Sequence, residues 1–117
     1  MASLFFMLKN QTEKICLTAV KQWGWALQFV KNQTEAICLA AVKRYGLALQ
    51  YVENQTNKIC LTAIKENIRA LKFVIKQTSK ILEFIYKNTL KVPSDIKINE
   101  KILKTCSIPC QLWFSLR

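Results

Sequence analysis

The sequence predicts an all-α fold: a solenoid of 22-residue helix pairs. Three observations lead there. Asn-Gln-Thr stands at 10–12, 32–34 and 54–56, with Lys76-Gln77-Thr78 in the fourth slot. Ile-Cys-Leu follows at 15–17, 37–39 and 59–61, and Lys recurs at 21, 43, 65 and 87. Residues 10–31 and 32–53 share fifteen of twenty-two positions, whereas 54–75 and 76–97 share five. A fixed period of this length marks a chain of stacked supersecondary units, each unable to bury its apolar face alone.

Within a unit, Thr12 is a good N-cap, because its hydroxyl accepts from the free N–H groups of the first turn. Glu13 sits at the positive end of the helix dipole and Lys21 at the negative end. Ile15, Cys16, Ala19, Val20 and Trp23 form one wide apolar stripe at helical spacing. Gly24 is expected to end the helix in a left-handed conformation. Trp25 to Lys31 reads as a shorter helix, with Ala26, Leu27 and Val30 on one face and Asn32 as a left-handed stop. The same marks predict long helices near 13–23, 35–45, 57–67 and 79–91, and short ones near 25–31, 47–53 and 69–76. Leu4 to Lys9 fills the slot of a preceding short helix. After Pro93 the register weakens, and Ser94 or Asp95 is expected to cap a last helix running to Cys106. The domain is thus read as residues 1–106, with units 10–31, 32–53, 54–75 and 76–97 after a half unit, and 107–117 as an irregular tail.

The competing fold is an α/β solenoid like a leucine-rich repeat, since Trp25, Leu27 and Phe29 alternate as in a strand. The intervening Ala26 and Gln28, and Lys72 in the third copy, are good helix formers rather than β-branched residues. Helix is the stronger reading.

The stretch Thr34 to Thr56 (TEAICLAAVKRYGLALQYVENQT) resembles uncharacterised helical repeats, a domain of unknown function abundant in giant DNA viruses of amoebae such as the mimiviruses. The resemblance covers roughly residues 4–78 and fades beyond. It implies a viral protein and carries no activity, substrate or catalytic residue. The fourth copy departs in both the Gly and the Cys slots, as a truncated or degenerate member would.

Composition narrows the function. There is no His, which removes Ser-His-Asp and Cys-His nucleophilic sites and His-ligated metals. With two Gly there is no phosphate-cradling loop. The seven acids are scattered, and the early ones sit at helix starts, so neither catalysis nor a cofactor is expected. No apolar run approaches the ~20 residues that span a bilayer. Cys16, Cys38 and Cys60 share one apolar column and are expected to be buried, unpaired and slow to react. Cys106 and Cys110 flank a Ser-Ile-Pro turn in the tail, where a disulfide or redox role is the less favoured reading. With no export signal, the Asn-Gln-Thr sequons read as turn chemistry, and the cytoplasm, or the virion of a virus, is the expected location.

Eighteen Lys and Arg face seven Asp and Glu, a net charge of +11, more than helix dipoles require. Lys21, Lys43, Lys65 and Lys87, with Arg44, form the one candidate anion-binding column. Lys9 and Lys31 begin another, as do Lys14, Lys58 and Lys80. These features predict a non-enzymatic scaffold for protein–protein interaction. The alternative is a basic face that binds single-stranded nucleic acid or another polyanion, with Trp23, Trp25 and Tyr45 available for stacking.

Overall fold

The computed structural model describes residues 6, 8–88 and 90–105. The tail with Cys106 and Cys110, and most of the leading half unit, lie outside the described residues, although residues 6, 8 and 9 are helical. Four α-helices follow: α1 (Glu13–Gln22), α2 (Glu35–Arg44), α3 (Asn57–Glu66) and α4 (Ser79–Lys87). Between them lie three 3-10 helices: η1 (Gly24–Phe29), η2 (Gly46–Tyr51) and η3 (Ile68–Phe73). A last helix, α5 (Glu100–Thr105), closes the described chain. No strand occurs among the described residues, so the leucine-rich alternative fails.

Helix starts follow the predicted chemistry. The hydroxyls of Thr12, Thr34, Thr56 and Thr78 accept from the backbone N–H of Ile15, Ile37, Ile59 and Ile81 at 3.3–3.4 Å. The stripes are buried, except that Ile15 and Trp23 are half-buried. Cys16, Ala19 and Val20, then Ile37, Cys38, Ala41 and Val42, then Ile59, Cys60, Ala63 and Ile64, join Ala26, Leu27, Ala48, Leu49, Ala70 and Leu71 in one continuous core. That core contains no buried polar or charged residue among those described. The α-helices pack side by side in one row and the 3-10 helices in a second, with η1 and η2 also lying against the next α-helix. The molecule measures 52 × 20 × 19 Å.

The short elements differ from expectation. They are six-residue 3-10 helices rather than α-helices, and they begin at the glycine instead of after it. The physical reason lies in span. Six residues at the ~2.0 Å rise of a 3-10 helix reach about 12 Å, close to the ~15 Å of a ten-residue α-helix beside it. Gly24, Leu27 and Val30 fall three apart, and all three are buried, which suits three residues per turn.

The glycines are also used differently. Trp23 and Tyr45, extended at φ −134° and −149°, end α1 and α2, and neither Gly24 nor Gly46 has a left-handed backbone. What Gly24 supplies is room: a Cβ there would lie 2.6 Å from the Ala41 carbonyl oxygen and 2.6 Å from Tyr45 Cβ. At Gly46 the equivalent oxygen, of Ala63, would be 2.8 Å away. Each glycine lets the next α-helix approach. Asn32 does not end η1, because the chain already leaves it through an extended Val30.

A feature the sequence reading missed ties successive units together. Gln11 donates through Nε2 to the carbonyl of Phe29 at 2.7 Å, and its Oε1 accepts from the Lys31 N–H at 2.9 Å. Gln33 does the same with Tyr51 and Glu53, at 2.8 and 3.0 Å. Gln55 does so with Phe73 and Ile75, at 2.9 and 3.0 Å. Each amide thus satisfies the last carbonyl of a 3-10 helix and an N–H two residues on, groups that a helix end leaves unpaired. Two atoms of one side chain, Nε2 and Oε1, hold the exit of every short helix.

The fourth unit departs in a coordinated way. In the unit before it Ile68 already stands in the glycine slot, and α4 carries Leu82 and Ile85 where the earlier helices carry Cys and Ala; both are fully buried. Helix α4 also packs less closely on α3 than α3 does on α2. Gln77 still clamps, but on Lys97 and Asn99, two residues later than its counterparts. Helix α4 stops at Lys87 rather than 91, and residues 90–99 run without helix, burying Val92, Ile96 and Ile98. The cap of α5 is Asn99, whose Oδ1 accepts from Lys101 and Ile102, and neither Ser94 nor Asp95, which lie in a turn.

Candidate interaction face

The candidate anion-binding residues come from the last turns of the four α-helices. Lys21, Lys43, Arg44, Lys65 and Lys87 are all exposed, because the apolar stripe on the far side of each helix turns this position outward. Each α-helix carries one of these lysines in its last turn, and Lys21, Lys43 and Arg44 border one groove. Among the described residues neither Lys21 nor Lys43 pairs with a carboxylate; the Arg69–Asp95 contact, at 3.4 Å, joins two exposed groups elsewhere. Arg44 is partly engaged, its Nε donating to the carbonyl of Gln22 at the end of the preceding helix, 3.3 Å away. Cations at these ends complement the helix dipoles, each worth about 0.3–1 kcal/mol.

The aromatic residues that could stack on bases are mostly committed inward. Trp23 and Trp25 are half-buried against the core, their rings 6.4 Å apart and tilted by 41°. Tyr45 is 38% exposed.

Between the basic last turns and the helix starts runs a row that the sequence reading did not single out. Leu17, Leu39 and Leu61 stand one per helix, half-buried, on the outer side of α1, α2 and α3. They belong to the predicted Ile-Cys-Leu triplets, of which the Cys is buried in all three helices and the Ile in α2 and α3, whereas the Leu is half-buried throughout. Exposed Lys14 and Lys58 lie one turn before the first and third of these leucines. In α2 that place is taken by Ala36, and Ala40 replaces the Thr18 and Thr62 of its neighbours. An open groove of about 590 Å³ results, floored by Leu17, Ala36, Leu39 and Ala40 and rimmed by Lys21, Lys43 and Arg44.

The cysteine column lies on the opposite, inward side. Cys16, Cys38 and Cys60 are 2–3% exposed and free. Burial raises all three thiols above their ordinary value, that of Cys60 to about 11, and for Cys38 the carboxylates of Glu53 and Glu35 add to it. The thiolate, the reactive form, is therefore scarce at neutral pH. The thiols of Cys38 and Cys60 also lie 3.6 Å from Oε1 of Gln33 and Gln55, so this column touches the glutamine clamp. Among the described residues no three His, Cys, Asp or Glu cluster as metal ligands would, and no helix is long and apolar enough to cross a membrane.

The class defined by these observations is an all-helical chain of recurring α and 3-10 pairs with a basic, leucine-bearing outer face. Residues 12–56, the first two units and the start of the third, match the model of a family described as Domain of unknown function (DUF4116). The matched segment is less than half of the chain and overlaps the Thr34 to Thr56 stretch that carried the sequence resemblance. No curated protein and no solved structure matches.

Proposed function

We propose that the chain is a helical solenoid scaffold that binds a partner protein through its outer face and performs no chemistry of its own. The carrying observation is the row of Leu17, Leu39 and Leu61, flanked by lysines, each packed on the core with part of its side chain left to solvent. Apolar side chains set between solvated cations provide a contact core with a polar rim, the usual anatomy of a binding surface. Repeat proteins commonly use such continuous faces for recognition. The resemblance of Thr34 to Thr56 to repeats of giant amoebal viruses supports a viral origin and, with it, a place in the host cytoplasm or the virion.

A second reading has its own observation. Lys21, Lys43, Arg44, Lys65 and Lys87 lie exposed in the last turns of successive α-helices, and such a row suits a phosphate backbone. The half-buried Trp23 and Trp25 weaken it, since non-specific single-strand binding relies on exposed stacking platforms.

Affinity capture of the tagged chain from cells that express it, with and without nuclease, separates the two. The scaffold reading expects the same proteins to be recovered after digestion. Loss of all captured material on digestion would establish the nucleic-acid reading instead.

A further inference from the structure

We infer that the groove between α1 and α2 is a docking site for one amphipathic helix of a partner protein, a helix with leucine-like anchors and carboxylates gathered at one end. The inference rests on the scaffold reading and names the surface and the kind of partner.

Two residues shape the groove between α1 and α2. Ala36 and Ala40 stand where the first unit has Lys14 and Thr18 and the third has Lys58 and Thr62. Removing those longer side chains exposes Leu17 and Leu39 as the floor of an open trough. A third helix laid over two neighbours sits about 8–10 Å from their axes and inserts side chains spaced three and four apart. The trough is apolar along its floor and so accepts such anchors.

Charge fixes the rest of the partner's chemistry. Lys21, Lys43 and Arg44 rim one end of the groove, whereas Glu13 and Glu35 stand at the opposite ends of the same two helices. A bound helix therefore places its acids at the lysine end and keeps them away from the glutamates. A second copy of this chain is a poor occupant, because each copy carries +11 and only seven acids. Like-charged surfaces brought together oppose association. An acidic helix from another protein meets both the apolar and the electrostatic demand.

The test uses a synthetic acidic amphipathic peptide, with leucines at helical spacing and glutamates at one end, titrated onto the full chain by fluorescence anisotropy. A scrambled peptide of the same composition and a single-stranded oligonucleotide serve as comparisons. The expected result is binding at least ~10-fold tighter for the amphipathic peptide than for the scrambled one, since only the former presents a continuous anchor face. The decisive variant is Ala36→Lys with Ala40→Thr, which restores the residues of the third unit; Ala36→Lys alone, at an exposed position, is the milder companion. Both add a positive charge, so general attraction of an anion would strengthen. Docking in the groove expects the reverse, a loss of ~10-fold or more with an unchanged melting temperature, because the floor is covered.

Equal or tighter peptide binding by either variant would overturn the groove. So would equal binding of the scrambled peptide, or an oligonucleotide that binds more tightly than the peptide and ignores both variants. A groove that fails in this way while nuclease-resistant capture persists would leave the scaffold reading standing with its contact elsewhere. Loss of capture on digestion would remove that reading itself.

Discussion

Replacing Gln33 with Leu is expected to destabilise the chain by about 2–4 kcal/mol, measured by urea unfolding followed by circular dichroism. The substitution keeps the bulk of the side chain and removes both of its polar ends. The Tyr51 carbonyl then loses its donor and the Glu53 N–H its acceptor. A donor or acceptor left without a partner at a partly buried site costs about 1–3 kcal/mol. The Cys38 thiol loses its weak contact as well. Gln77→Leu is expected to cost less, because its clamp grips exposed backbone in the shifted fourth unit. Equal and small losses at both positions would show that the amides are solvated surface groups.

The second large effect is expected at Gly24. Alanine there places a methyl 2.6 Å from the Ala41 carbonyl oxygen, and a main-chain atom inside a helix cannot rotate away. Overpacking of this kind costs about 1–3 kcal/mol, and the upper end applies because the obstacle is backbone. Gly46→Ala, with 2.8 Å to the Ala63 oxygen, is expected to cost somewhat less. Unchanged stability in Gly24→Ala would mean that α2 sits farther from η1 than the structure has it. The comparison is informative because the third unit has already made a larger change, to Ile68, and the α4 helix beyond it packs less closely.

Much of this was legible in the residues. The threonine caps, the Ile-Cys-Ala-Val stripes and the all-helical character follow from local chemistry that acts within a few residues, and all appear where the spacing put them. The two glycines illustrate the limit. Their recurrence was visible, but glycine serves both for a left-handed backbone and for a close approach, and only the position of Ala41 or Ala63 in the next unit decides between them. The 3-10 geometry left a trace in the three-residue spacing of Gly24, Leu27 and Val30, which was read at helical period. The glutamine clamp was hidden for a similar reason. Gln11, Gln33 and Gln55 were as invariant as the Thr beside them, yet their partners lie eighteen and twenty residues onward. A polar residue repeated at every unit boundary, with no local partner to explain it, was the available signal.

The candidate face was legible in part. The lysine column is where its spacing implied, exposed at the helix ends. The half-buried leucine row was not singled out, because a triplet such as Ile-Cys-Leu does not reveal which of its members turns outward. The groove at Ala36 and Ala40 arises from a difference between copies, whereas attention to a repeat favours what the copies share.

Binding of a single-stranded oligonucleotide as a function of salt tests the scaffold reading against its rival most directly. Four phosphate contacts by Lys21, Lys43, Lys65 and Lys87 would give a log–log slope of about −2.8, from roughly −0.7 per contact. Replacing one of them with Gln would then reduce the slope by a little under one unit. The expected result is different: weak binding, shared with any polyanion and indifferent to which lysine is removed, since these groups complement helix ends at a few tenths of a kcal/mol each. A tight complex at physiological salt, lost on neutralising this column but kept on neutralising Lys14, Lys58 and Lys80, would contradict it.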